Sequence, residues 1–369
     1  MVQKNSLRDN VPRAKTDYPF SRPKASEPAM LLKTTATHLF EWNGKNTLQF
    51  NTAGTDGWEA QSDTGQAAFS GGIYEFAIPL QVFGDLQAGD ELRMNIVVQP
   101  QNQLLPANGP AQIILPDVTP SKTILDVNDP ASDDHGPGSY TYPTDSVFSC
   151  KAYDLTAFCI SSDEKNLIFK FTFAGAIPNP WGSPNNLAIQ TLDVYIDKDP
   201  GAGTSARMLL PGRNAALSTG SGWEYAIWAE GWTPQVVVPD AKSGDPVQLN
   251  GASLKILVDP AARTVIIRVP LSTFGDGDPL KWGYAAAVLG QEGYPSSGVW
   301  RVRDVEQKSG QWKFGGSPAD TNHTRIIELI WPADKKPTQE EMLSKYSSST
   351  NDVGALKPDD FPQIQLLKP

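Results

Sequence analysis

The residues of this chain best placed to do chemistry are carboxylates in glycine-rich loops and tryptophans beside them. The first loop, DPASDDHGPGSYTYPT at 129–144, sets Asp129, Asp133 and Asp134 among glycines and prolines. Calcium takes roughly six to eight oxygen ligands, and clustered carboxylates with turn carbonyls supply them. The same residues also build turns in which carboxylates cap backbone N–H groups, so both readings stand. A second loop, LDVYIDKDPGAGT at 192–204, offers Asp197, Asp199 and the carbonyls of 200–203. Its Asp-x-Asp-x-Gly spacing is shorter than an EF-hand loop and lacks the downstream Glu. The two loops could also share one ion.

Trp181 lies in a Pro/Asn loop (NPWGSPNN, 179–186), and Trp232 follows Gly231 at a strand end. A sugar packs its C–H face on an exposed ring while its hydroxyls seek polar side chains. Asn179, Asn185, Gln190, Arg213, Asn214 and Glu224 are nearby partners of the right type. Trp223 and Trp228 are five apart, so on a strand they face opposite sides and one belongs to a core. Each tryptophan has the alternative of plugging an open end of the fold.

Catalysis finds little support. There is no Gly-x-Ser-x-Gly elbow, phosphate-binding loop or zinc motif. His38, His135 and His323 are far apart in sequence. Acidic turns account for the many carboxylates without a cleft. The formal charge of −10 argues against nucleic acid, whose phosphates need a basic face. No run of 18 apolar residues exists, so no membrane helix is expected.

Glycine and proline, 31 each in 369 residues, point to short strands joined by many turns. The expected fold is all-β, with two β-sandwich units of jelly-roll or immunoglobulin-like type and a short C-terminal helix. Residues 1–30 read as a polar linker or arm, 31–120 as a small β-domain, 121–334 as a larger sandwich, and 335–369 as helix and tail. Strands are expected at 38–50, 72–80, 91–98 and 111–115 in the first unit. In the second they are expected at 166–173, 192–196, 223–228, 235–238, 253–258, 264–269, 283–288 and 324–330. DPAART (259–264) reads as a hairpin turn. Thr338 with Glu341 three residues on is a capping-box pattern, and the Ser/Asn/Asp-rich stretch after it reads as loose. Residues 79–98 and 270–289 repeat the pattern Pro-Leu-x-x-Phe-Gly-Asp between apolar strands. Cys150 and Cys159 are either two apolar thiols or a disulfide across one short loop.

From about 123 to 365 the chain resembles the glucodextranase C-terminal domain family. The resemblance is carried by Asp129-Pro130, Asp133-Asp134, Gly136-Pro137-Gly138, Tyr140, Tyr142-Pro143-Thr144, Tyr153-Asp154-Leu155 and Phe158. It continues in Asn179-Pro180-Trp181, Gln190, Asp193-Val194-Tyr195-Ile196-Asp197, Pro211-Gly212-Arg213-Asn214, Trp223-Glu224 and Gly231-Trp232. Ser132 and His135 break a more glycine-rich opening loop, and Cys150 stands where a small turn residue is expected. The family is similar in fold to family-nine carbohydrate-binding modules and DOMON domains. Residues 74–80 and 89–98 resemble the small β-domain that follows some family-fifty-seven glycoside hydrolase catalytic domains.

These resemblances imply a non-catalytic, calcium-stabilised region of a secreted amylolytic enzyme. It would bind α-glucan or a cell-surface glycan through Trp181, Trp232, Trp223, Asn179, Gln190, Arg213 and Glu224. The implied metal ligands are Asp129, Asp133, Asp134, Asp197 and Asp199. Location outside the cell or at its surface follows from the same resemblance. Residues 1–26 show no apolar core of a signal peptide, so the chain reads as the C-terminal portion of something larger. One alternative is a structural module that assembles with other copies or surface proteins. Another is a DOMON-like haem module, with an axial pair such as His323 and Met208.

Overall fold

The computed structural model describes residues 2–4, 30–33, 38–42, 44, 46–55, 57–70, 73–84, 86, 90–98, 103–105, 111–115 and 121–369. The chain divides into two compact units, Met1–Thr119 and Pro120–Pro369.

The first unit contains β1 (Val2–Lys4), β2 (Met30–Lys33), β3 (His38–Trp42), β4 (Gln49–Gly54), β5 (Gly57–Ala60), β6 (Gln66–Ser70), β7 (Ile73–Ala77), β8 (Glu91–Val98), β9 (Gln103–Leu105) and β10 (Ala111–Ile114). Eight of these form one sheet in which β8 pairs β1, β2, β9 and β10, and β6 pairs β7 as a separate hairpin. Phe40, Trp42, Leu48 and Phe83 centre its core. Of the expected N-terminal arm, residues 2–4 and 30 are strand, and the rest lies outside the described residues.

The second unit is a sandwich. One sheet runs in the order β11 (Lys122–Asn128), β12 (Leu155–Ser162), β13 (Asn166–Phe173), β20 (Thr264–Pro270), β19 (Lys255–Asp259). The other runs β18 (Pro246–Gln248), β17 (Gln235–Pro239), β16 (Tyr225–Ala229), β14 (Gln190–Asp197), β21 (Gly283–Gly290), β22 (Ile326–Leu329). All pairings within these two sheets are antiparallel. A single hydrophobic cluster joins the two sheets.

Strand β13 shows an apolar–polar pattern with Lys170 outward, as its alternation predicts. Strands β14 and β21 differ, being buried at every position. A strand covered on both faces needs a second layer. That layer comes from a short parallel pair, β15 (Ala216–Leu217) with β23 (Gln363–Ile364), and from the Tyr284–Leu367 bridge. The stretch expected to be loose is therefore part of the unit. Asn322 Nδ2 donates to Ser347 O at 2.6 Å and to Asp360 O at 2.7 Å, and Asn322 Oδ1 accepts from Ser349 N at 2.9 Å. Helix α1 (Gln339–Ser344) has its capping box, with Thr338 and Glu341 bonding reciprocally.

The two Pro-Leu-x-x-Phe-Gly-Asp stretches adopt the same local structure. Pro79 and Pro270 lead strands into 3-10 turns at Leu80–Phe83 and Leu271–Phe274, with Phe83 and Phe274 buried. Gly84 and Gly275 follow at φ 79° and 61°, the left-handed region open to glycine. Asp259 and Arg263 close the expected hairpin turn, with Asp259 Oδ1 accepting from Ala261 N and Ala262 N. Cys159 is half-buried on β12, a strand the sequence reading passed over, and both it and exposed Cys150 are free thiols.

Candidate functional site

The acidic loop at 129–144 lies over β22 and buries its carboxylates. Oxygens of Asp129, Asp133 and Glu328 lie within 4.8 Å of one another. Asp129 Oδ1 accepts from Trp331 N at 2.6 Å, which turns its other oxygen inward. That oxygen, Asp133 Oδ1, Asp154 Oδ1 and both oxygens of Glu328 are buried without a hydrogen-bond partner. Glu328 is fully buried. Lys151 Nζ is 3.7 Å from Asp154 Oδ2, on the side where Ser132 N also donates.

Burial and mutual repulsion act on the whole group. Asp133 is pushed up to about 6, by desolvation first and by Asp154 second. Asp129 and Glu328 are raised by burial first and by neighbouring carboxylates after it. Asp154 is raised by burial as well. Buried unpaired carboxylates cost several kcal/mol each unless they take a proton or a cation. The orphaned oxygens of Asp129, Asp133 and Glu328 match the donor type that a hard divalent cation needs, with Asp154 outside that close group. Asp134 has a different partner, because Tyr142 OH donates to its Oδ2. His135 is exposed, turns Nδ1 to Tyr140 O and lies with Nε2 3.9 Å from Asp134 Oδ1, at the rim of the pocket. Ser132 sits at φ 73°, which accounts for a glycine preference at that turn.

The second acidic loop also gathers three carboxylates, Asp197, Asp199 and Glu224. Both oxygens of Asp197 and one each of Asp199 and Glu224 are engaged, and the group keeps the spacing of a candidate cation site. Asp197 accepts from Asp199 N and Gly222 N at 3.1 Å each, Glu224 accepts from Lys198 N at 2.7 Å, and Asp199 accepts from Thr204 Oγ1 at 3.2 Å. This is the turn-capping alternative.

The tryptophans separate into core and cleft. Trp223 is buried and donates Nε1 to Met208 O at 2.8 Å. Trp228 is buried too, stacked on Trp300. Trp181 and Trp312 are 41% and 40% exposed, with ring centroids 6.2 Å apart and planes at 52°. With Trp232, Tyr294, Gln291, Glu292, Arg301, Arg303 and Lys313 they line a cleft of about 730 Å³. Arg301 lies over the Trp232 ring at 5.2 Å. Buried Glu230 fixes that corner, accepting from Trp232 N, Thr233 N and Thr233 Oγ1 and facing Arg301 Nε at 3.4 Å. Opposite charges are paired across the cleft wall, Arg303 with Glu292 at 3.1 Å and Lys313 with Asp304 at 2.8 Å.

The family described as the C-terminal binding module, SLH-like, of glucodextranase matches residues 124–358. The chain belongs to this family. No curated protein matches it.

Within this glucodextranase-type module, the residues expected to touch sugar are brought together only in part. Trp181 and Trp232 share the cleft. Gln190 is buried and donates to Ala152 O. Arg213 is buried in a bidentate pair with Asp193 at 2.6 and 2.9 Å, inside the sheet layer. Neither they nor Trp223 offers a surface to a ligand. Asn179 spends its amide on its own loop, bonding Ser183 and Asn186, and so shapes the turn that presents Trp181. Glu224 belongs to the second acidic loop. Asn185 ties the Trp181 loop to Gly231 O. Asn214 bonds the carbonyls of Thr321 and His323. His323 turns Nε2 to Val305 O and Nδ1 to Asp320, leaving neither ring nitrogen for a haem iron. The sequence reading missed Trp312, Tyr294 and Arg301 in the cleft. It also missed Glu328 and Asp154 in the pocket. Glu328 had a visible signal, a lone carboxylate inside the apolar run IIELI at 326–330.

Proposed function

We propose that this chain is a non-catalytic glycan-binding module that takes α-glucan or a cell-surface glycan in the Trp181–Trp312 cleft. The observation that carries it is the exposed, tilted tryptophan pair bordered by paired charges. The cleft volume falls within the range of roughly 300–1,000 Å³ usual for ligand sites. Two rings inclined at 52° form a curved floor. A curved floor suits a bent α-linked chain better than a flat β-1,4 ribbon, which needs coplanar platforms. Adjacent Arg, Lys and Glu groups both donate and accept, as vicinal hydroxyls require.

A calcium ion held by Asp129, Asp133 and Glu328, with Asp154 beside them, is part of this proposal. The four orphaned oxygens of Asp129, Asp133 and Glu328 support it. When bound, it would offset two of the pocket's negative charges and join the acidic loop to β22. In this reading the chain acts as the accessory region of an extracellular amylolytic enzyme.

Titration calorimetry with maltoheptaose, pullulan and dextran, in calcium, tests the cleft. Trp181→Ala and Trp312→Ala should each weaken binding about tenfold, the effect of removing one ring worth roughly 1.5 kcal/mol. Unchanged affinity in both variants, or no binding to any glycan, removes the proposal. A second reading, an assembly module, is favoured by Phe69 and Ile73, which are exposed on the β6–β7 hairpin. Light scattering separates it: a glycan module stays monomeric at concentrations where an assembly module associates.

A further inference from the structure

The carboxylate pocket and the aromatic cleft share one stretch of chain. Its beginning, 129–134, supplies Asp129 and Asp133 to the pocket. Its continuation packs on the 304–316 loop that carries Trp312. Thr141 and Gly315 exchange two backbone hydrogen bonds of 3.0 Å. Thr144 N donates to Gly310 O at 2.9 Å, and Asp145 N to Gln311 O at 3.2 Å. Gln311 Nε2 returns a bond to Asp145 Oδ2 at 3.0 Å. The Phe148 ring then meets the Trp312 ring edge-on at 6.0 Å. Between the two ends stands Tyr142. Its hydroxyl donates to Asp134 and accepts from Tyr153 N, and its ring packs edge-on against Phe314.

Resting on the proposed glycan reading, we infer that residues 142–148 couple the two sites, so that a divalent cation in the Asp129–Asp133–Glu328 pocket sets the glycan affinity of the Trp181–Trp312 cleft. The physical route is short. With the pocket filled, a divalent cation offsets two of its negative charges, repulsion among the carboxylates falls, and the loop is held against β22. The loop is then a rigid floor for Phe148 and the 304–316 loop, and Trp312 keeps its angle to Trp181. With the pocket empty, the same carboxylates push the loop outward, and Trp312 loses its edge-on contact with Phe148, which leaves the Trp181 ring beside it. Coupling between sites is reciprocal, so glycan must tighten the cation by the same factor that the cation tightens glycan.

The test is calorimetry with maltoheptaose, pullulan and dextran in calcium and in EDTA. It is run where circular dichroism shows the EDTA-treated protein folded. The expected result is affinity about tenfold weaker in EDTA, and calcium affinity raised by the same factor when glycan is present. Asp145→Ala and Gln311→Ala, which remove the side-chain bond of the tie and leave its four backbone bonds, should keep the calcium-dependent melting shift while loosening the tie. In both, glycan should bind weakly whether calcium is present or not. A readout free of glycan is tryptophan fluorescence in a Trp331→Phe background, which removes the ring beside Asp129; its change on adding calcium should fall by more than half when Trp312→Phe is added. Equal glycan affinity in calcium and EDTA overturns the coupling and leaves the glycan reading standing. Absence of glycan binding in both conditions overturns the two together. Calcium dependence that survives intact in Asp145→Ala and Gln311→Ala also overturns the proposed route.

Discussion

Replacing Glu328 by glutamine should make the metal-free protein more stable and, at the same time, abolish its response to calcium. Glu328 is fully buried, neither carboxylate oxygen has a hydrogen-bond partner, Asp129 and Asp133 lie within 4.8 Å of it, and Asp134 and Asp154 repel it from farther off. Each of these carboxyls is raised in the folded protein. A carboxyl raised on folding holds more protons folded than unfolded, so stability falls as pH rises. The loss begins near the unfolded value of about 4 and is complete above the folded one. For Asp133 the rise from 3.8 to about 6 corresponds to about 3 kcal/mol at full weight, reduced by solvent screening at this half-buried side chain to about 1–2 kcal/mol. Glu328 is deeper and adds to the same trend. A cation at a hundred times its Kd returns about 2.7 kcal/mol. In a unit of this size that is roughly 5–10 °C of melting temperature.

Thermal melts followed by circular dichroism at pH 5 and pH 8, with EDTA or calcium, carry the assay. For the unaltered protein, calcium should raise the melting temperature by about 5–10 °C at pH 8 and by less at pH 5, where protons already occupy the pocket. Glu328→Gln in EDTA at pH 8 should melt above the unaltered protein in EDTA and gain nothing from calcium. Three results refute the reasoning: identical melts in EDTA and calcium at pH 8, a larger calcium effect at pH 5, or a Glu328→Gln protein less stable than its parent in EDTA.

Two further perturbations probe the frame that holds the sites. Arg213→Met strands the buried Asp193 carboxylate and should cost about 3–5 kcal/mol in urea unfolding, while Arg213→Met with Asp193→Leu recovers most of it; a single variant as stable as its parent contradicts this. Asn322→Ala removes the three bonds that fasten the C-terminal stretch and should cost about 1–3 kcal/mol. Limited proteolysis should then cut after residue 345 sooner than in the parent, and an unchanged cleavage pattern would count against that role.

What the sequence made legible is what short-range chemistry decides. Alternation placed β13, the Asp259 turn closed its hairpin, and the Thr338–Glu341 box started α1, because each depends on neighbours a few residues away. The Pro-Leu-x-x-Phe-Gly-Asp repeat kept the same turn in two different sheets for the same reason. Burial is not short-range. Trp223, Gln190 and Arg213 look like surface chemistry until the outer face of β14 is covered by β15, β23 and the loops around them, segments up to 170 residues away in sequence. The sites fail to show for a related reason. Asp129 meets Glu328 across the sandwich, and Trp181 meets Trp312 only because the 304–316 loop folds onto the acidic loop. A carboxylate inside an apolar strand is therefore the sequence signal that bears most on function here. Strand burial gives it no water, so the fold must bring it a proton, a cation or a partner. The structure brings Glu328 further carboxylates in place of a partner, which leaves the proton and the cation as the two ways to relieve it, and pH and calcium as the two variables that distinguish them.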